Sequence, residues 1–173
     1  MRITYWESVK PLFDQVEIGG TQKAFKKSIE AIPRPFLTVW AAHFCISEVH
    51  NGGLLQFFWN STGMITPEAI EGFSAVGMTE LSSLIRTTAS GLGKRFPRAR
   101  DRRWDALLAA GDLPVEEVEA IFAKSKNFYI AFVECTRGLG WDQLNKSIYG
   151  LSAKENGGFD IAATRYLKSL KLI

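Results

Sequence analysis

The two histidines, the two cysteines and the polar residues around Glu48 are the groups of this chain best suited to chemistry. His43 and His50 are seven residues apart, which on one helix separates them by about 10 Å at a rise of about 1.5 Å per residue. A metal ion with bonds near ~2 Å cannot take both from one helix. No H-E-x-x-H or C-x-x-C pattern supplies further ligands, so neither a metal nor another cofactor is expected. On a helix, side chains two positions apart diverge by about 200°, which rules out His43 and Cys45 as a pair by adjacency. Cys45 and Cys135 lie in apolar runs and read as buried free thiols. No G-x-S-x-G elbow, P-loop or dinucleotide fingerprint occurs.

The stretch EVHNGGLLQFFWNSTG, from Glu48 to Gly63, is the least generic in the chain. It sets Glu48, Asn51, Gln56 and Asn60 among Leu54, Leu55, Phe57, Phe58 and Trp59, with Gly52 and Gly53 between two apolar segments. Glycine reaches positive φ at no steric cost, so the chain can turn there and start a second helix at once. The first amides of that helix lack partners. Glu48 or Asn51 is placed to accept from them, and Gln56 and Asn60 share one face at i, i+4. A hydrogen-bonded helix–turn–helix knot accounts for all four side chains. A ligand pocket at the turn is the alternative, and Glu48 as the base of an enzyme a third reading, for which no second catalytic group is legible.

A basic stretch, GKRFPRARDRRW, holds Lys94, Arg95, Arg98, Arg100, Arg102 and Arg103 against Asp101. Two readings suit it: a nucleic-acid contact, or a solvated loop paired with the nearby Glu116, Glu117 and Glu119. The second is favoured, because the whole chain carries only +3. On that reading, alanine at Arg98, Arg100, Arg102 and Arg103 leaves the isolated protein nearly unchanged.

These groups must be positioned by helices. The 173 residues, 46% hydrophobic and 23% charged, suit one compact domain over 1–173. Nothing resembles a signal peptide or a membrane span, so the protein reads as cytoplasmic. Apolar residues recur at helical spacing from Tyr5 to Leu170. Pro11 makes the first helix start late or kink. Thr21 caps the next, and the prolines at Pro33 and Pro35 break the chain. A helix apolar on nearly all sides, from Phe36 to Val49, belongs at the centre of a bundle. Thr66 and Thr79 read as caps, and Gly77 and Gly91 as stops. NFYIAFVECT suits strand or helix; helix is chosen for lack of a partner strand. SAKENGG reads as a loop. The expected fold is all-α, a multi-helix bundle of about eight or nine helices without a substantial sheet.

The segment WAAHFCISEVHNGGLLQFFWNSTG resembles the signature of the bacterial DNA-mimic protein family, roughly E-V-x-N-G-G-F-x-Q-F-F-x-N-x-x-G. Glu48, Asn51, Gly52, Gly53, Gln56, Phe57, Phe58, Asn60 and Gly63 match it, and Leu54 replaces a preferred Phe. The likeness is specific from Phe36 to Trp104 and loose beyond, where LNKSIY departs from L-D-x-x-F-Y. It implies an all-α homodimer without known catalysis, some of whose relatives offer carboxylates where DNA offers phosphates. Duplex DNA carries a charge per about 1.7 Å, whereas the one acidic cluster here, Asp112 to Glu119, covers only about two helical turns. The expectation is a non-enzymatic protein that binds another protein as regulator or antagonist, with nucleic-acid binding through residues 94–103 as the alternative.

Overall fold

A computed structural model describes residues 3–173. They form eleven α-helices and three short 3-10 turns, with no strand among them. The helices are α1 Tyr5–Val9, α2 Leu12–Gln15, α3 Gln22–Ile29, α4 Arg34–Trp59, α5 Thr66–Ala75, α6 Thr79–Ser90, α7 Arg100–Ala110, α8 Val115–Lys124, α9 Phe128–Cys135, α10 Asp142–Lys154 and α11 Phe159–Ser169. The count exceeds the expected eight or nine partly because Pro11 splits the first helix into two short pieces, α1 and α2. α9 is a helix as expected, and Asn127 caps it by accepting from the Ile130 amide at 3.1 Å.

The apolar composition of α4 places it at the centre. Val39, Trp40, Ala41, Ala42, Val49, Leu54, Phe57 and Phe58 are fully buried. α5 packs along it, and α1, α7, α10 and α11 also lie against it. Helix α6 packs on α5, and α8 packs chiefly on α9. Burying an aliphatic or aromatic side chain contributes about 1.5–3 kcal/mol, so this helix anchors the fold.

Three local expectations are corrected. Thr66 does not cap α5: its hydroxyl donates to the Gly63 carbonyl at 2.7 Å, because the 3-10 turn Ser61–Ile65 runs straight into the helix. Thr79 does not cap α6 either. The Glu155 carboxylate accepts from the Glu80 and Leu81 amides at 2.8 and 3.0 Å, which puts a negative charge at the helix N-terminus. Nor is SAKENGG a loop, since Ser152–Lys154 end α10 and Glu155–Gly157 form a 3-10 turn.

Candidate functional site

Helix α4 bends where Gly52 and Gly53 leave helical geometry. Gly52 adopts φ −158° and ψ 20°, and Gly53 adopts φ 78° and ψ −179°. The Gly53 combination is open essentially to glycine alone. The bend interrupts the helical ladder, and the Leu54 amide donates instead to Asn145 Oδ1 of α10 at 2.9 Å. This corrects the expected role of Glu48 or Asn51 at that position. Asn51 is exposed, whereas the bend draws its cap from 91 residues downstream.

Glu48 serves the bend in another way. Its Oε2 accepts from Gln56 Nε2 and Asn60 Nδ2, both at 2.9 Å, and its Oε1 accepts from Thr62 Oγ1 at 3.1 Å. One carboxylate before the bend thus ties together two side chains after it and the 3-10 turn beyond. Charge-assisted hydrogen bonds of this kind are stronger than neutral ones. Gly52 belongs to the same arrangement, because a Cβ there would come within 2.1 Å of Gln56 Oε1. Thr62, two residues beyond Asn60, completes the node and carries no sequence signal that marks it.

Two substitutions probe this node. Glu48→Ala is expected to destabilise by about 1–3 kcal/mol, since it leaves part-buried donors unpaired. Glu48→Gln is expected to cost less: the amide oxygen still accepts from Gln56 and Asn60, and the Thr62 hydroxyl can rotate to accept from the new amide nitrogen. Urea titration reads both. Equal loss for the two variants would mean that the charge, and not the hydrogen-bond pattern, holds the bend.

The basic stretch is not a solvated loop paired with Glu116, Glu117 and Glu119. Arg98 makes a bidentate pair with Glu68 at 2.9 and 2.8 Å, and also donates to the Met64 carbonyl at 2.8 Å. Glu68 is buried. Arg103 is fully buried as well. Its guanidinium donates to the carbonyls of Phe58 at 2.9 Å, Asn60 at 2.7 Å, Pro97 at 3.4 Å and Arg98. Burial, reinforced by the charge of Arg100, pushes Arg103 down to about 10, so it stays charged at neutral pH. Arg100 Nε and Trp104 Nε1 both donate to the Trp59 carbonyl, at 3.2 and 3.0 Å. Arg100 also lies over the Trp104 ring, 4.6 Å from its centroid.

Arg100, Arg103 and Trp104, on one face of α7, therefore satisfy the carbonyls of residues 58–60 at the end of α4. A helix C-terminus has unpaired carbonyls and a partial negative charge, and cations there are favoured on both counts. Gly63 lets the guanidinium in, since a Cβ on it would sit 2.7 Å from Arg103 Nε. Lys94, Arg95 and Arg102 remain exposed.

The Glu48 node, the bend and the arginine cap thus form one continuous assembly around the second half of α4. The family model described as DMP19-like protein matches residues 30–168, and so contains all of it. The chain belongs to the DMP19-like protein family. In this DMP19-like chain, α1, α2 and α3 all precede the matched region. The search of curated proteins and the search of solved structures each gave no match. Among the described residues no three His, Cys, Asp or Glu gather where a metal ion could be held, and no helix is long and apolar enough to cross a membrane. His50 Nε2 lies 3.1 Å from Ser152 Oγ, and Cys45 and Cys135 are buried and free.

Proposed function

We propose that this DMP19-like protein is a non-enzymatic, cytoplasmic protein-binding module, a regulator or antagonist, that engages its partner through the α8–α9 hairpin. The observation that carries this reading is that α8 has no fully buried residue. Beside it, α9 exposes three consecutive large side chains, Phe128, Tyr129 and Ile130, and α8 exposes Val115. Contiguous exposed apolar surface of this kind marks interaction sites. Glu116, Glu117 and Glu119 lie in the first half of α8, the helix that carries Val115, so we take the partner surface to be apolar with basic groups toward that end. Three carboxylates within about one turn cover only ~5 Å of helix, where a duplex continues at one charge per ~1.7 Å over many turns, which favours an apolar contact over full DNA mimicry.

The nucleic-acid reading loses support because Arg98 and Arg103 are committed to internal acceptors. The enzyme reading loses support because the Glu48 carboxylate already accepts three side-chain donors. A homodimer, common in the family this chain resembles, is part of the proposal. Light scattering should return about twice the 19.3 kDa chain mass.

The test is affinity capture from the native host by the parent and by Ile130→Asp, with Lys94→Ala/Arg95→Ala as a control. We expect Ile130→Asp to keep its helical circular dichroism and lose the captured protein, while the control retains it. Equal capture by Ile130→Asp would move the interface elsewhere. Capture of nucleic acid that the control loses would favour the alternative.

A further inference from the structure

Helices α1, α4 and α11 line an open hollow of about 810 Å³, away from the signature turn between Glu48 and Gly63. Small-molecule sites commonly fall between about 300 and 1,000 Å³, with mostly apolar walls and a few converging polar groups. Ile3, Trp6 and Ile161 line this cavity and are 53%, 38% and 56% exposed, so three large apolar side chains face one hollow. On α11, Ile161, Thr164, Arg165 and Lys168 recur at helical spacing and line it together, apolar at one end and cationic at the other.

Its polar groups are ordered by a relay. The Tyr5 hydroxyl donates to Asp160 Oδ1 at 2.9 Å and lies 2.9 Å from His43 Nδ1. A phenol has one proton. With that proton on Asp160, the Tyr5 oxygen accepts from His43 Nδ1–H, which leaves His43 Nε2 as the ring's acceptor. Burial holds His43 below its ordinary value against the opposing pull of Asp160, so the ring is neutral at pH 7. The Asp160 charge is thus engaged by Tyr5. Arg165 donates to Asn156 Oδ1 at 2.9 Å, a neutral partner that leaves its charge uncompensated. Lys168 forms no ion pair among the described residues.

We infer that this cavity binds a small amphipathic carboxylate, with its hydrocarbon body against Ile3, Trp6 and Ile161 and its carboxylate on Lys168 and Arg165. Two cations against one engaged carboxylate select an anion, and a single apolar hollow selects one hydrocarbon body. Tyr5 and Trp6 lie before the matched region at 30–168, so the site is a feature of this chain's N-terminal segment laid on the family core. The Tyr5 amide donates to Thr164 Oγ1 at 3.2 Å, which fixes α1 on α11.

Isothermal titration with decanoate and 2-naphthoate, each below its aggregation range, tests the inference, with decylamine as the cationic counterpart. One saturable site for at least one carboxylate is expected, with no detectable binding of decylamine. Lys168→Glu should weaken the carboxylate at least tenfold, and Trp6→Ala should weaken it without changing the preference for the anion. Both residues are solvent-exposed, and unchanged circular dichroism confirms that each variant folds. No saturable carboxylate binding, equal or tighter binding of decylamine, or full affinity in Lys168→Glu would each overturn it.

Discussion

Arg103→Ala is expected to remove at least about 4 kcal/mol of stability, a loss reserved for a few mechanisms, two of which act here together. The first is loss of hydrogen-bond partners. The guanidinium serves the carbonyls of Phe58, Asn60, Pro97 and Arg98, and each buried acceptor left unpaired costs about 1–3 kcal/mol. The second is a void, because Arg103 is among the largest fully buried side chains of the protein. Total stability of a domain is only about 5–15 kcal/mol, so the variant should be marginal at 37 °C. Arg103→Met should fill the void but leave the carbonyls open. Arg103→Lys should recover part of the loss, since an ammonium lacks the planar fork needed to reach separated acceptors. The expected order of urea midpoints is parent, Lys, Met, Ala. If Met matches Lys, packing and not carbonyl satisfaction is what Arg103 supplies.

Gly53→Ala is expected to cost about 3–5 kcal/mol, combining backbone strain with a disrupted cap. At φ 78° and ψ −179° an L-residue is strained whatever its size. Asparagine, which tolerates the ordinary left-handed region, should not rescue the position. The new Cβ would also meet Asn145 Nδ2 at 2.6 Å, pushing away the side chain that caps Leu54. Asn145→Ala alone should lose about 1–3 kcal/mol through the orphaned amide. Because both changes disturb one contact, the double variant should lose less than the sum of the two. Additivity would show that strain at Gly53 and the Asn145 cap are independent.

Several of these features were legible in the chain and several were not. The apolar centre of α4, the glycine bend and the grouping of Glu48 with Gln56 and Asn60 follow from local spacing, because helix period and glycine geometry act over a few residues. The partners were assigned less well. Local spacing points Glu48 at backbone amides, whereas it binds side chains, and the amide of Leu54 goes to Asn145, a residue with no local signal. Thr66 and Thr79 carry cap signals, the first overridden by the 3-10 turn that runs into α5 and the second by the distant Glu155 carboxylate. The basic stretch points by its charge count to solvation, which the burial of Arg103 contradicts. Its spacing held the better clue: Arg100, Arg103 and Trp104 share one helical face, and such a stripe has an inward side. What lies on that inward side, the end of α4, is some 40 residues away in the chain and cannot be inferred from spacing alone.

The bend of α4 also bears on the order in which the protein is made. Its cap, Asn145, leaves the ribosome long after the helix it completes, and the contact closes a loop of 91 residues. Contacts of such long range are slow to form, because the entropy of closing the loop must be met before the contact contributes. During synthesis the segment Leu54–Trp59, with Phe57 and Phe58 bound for full burial, therefore waits with its first amide open and its apolar face uncovered. A chain cut before Asn145 would not be this fold minus its last helices. It would hold that exposed intermediate indefinitely, as a substrate for chaperones and proteases.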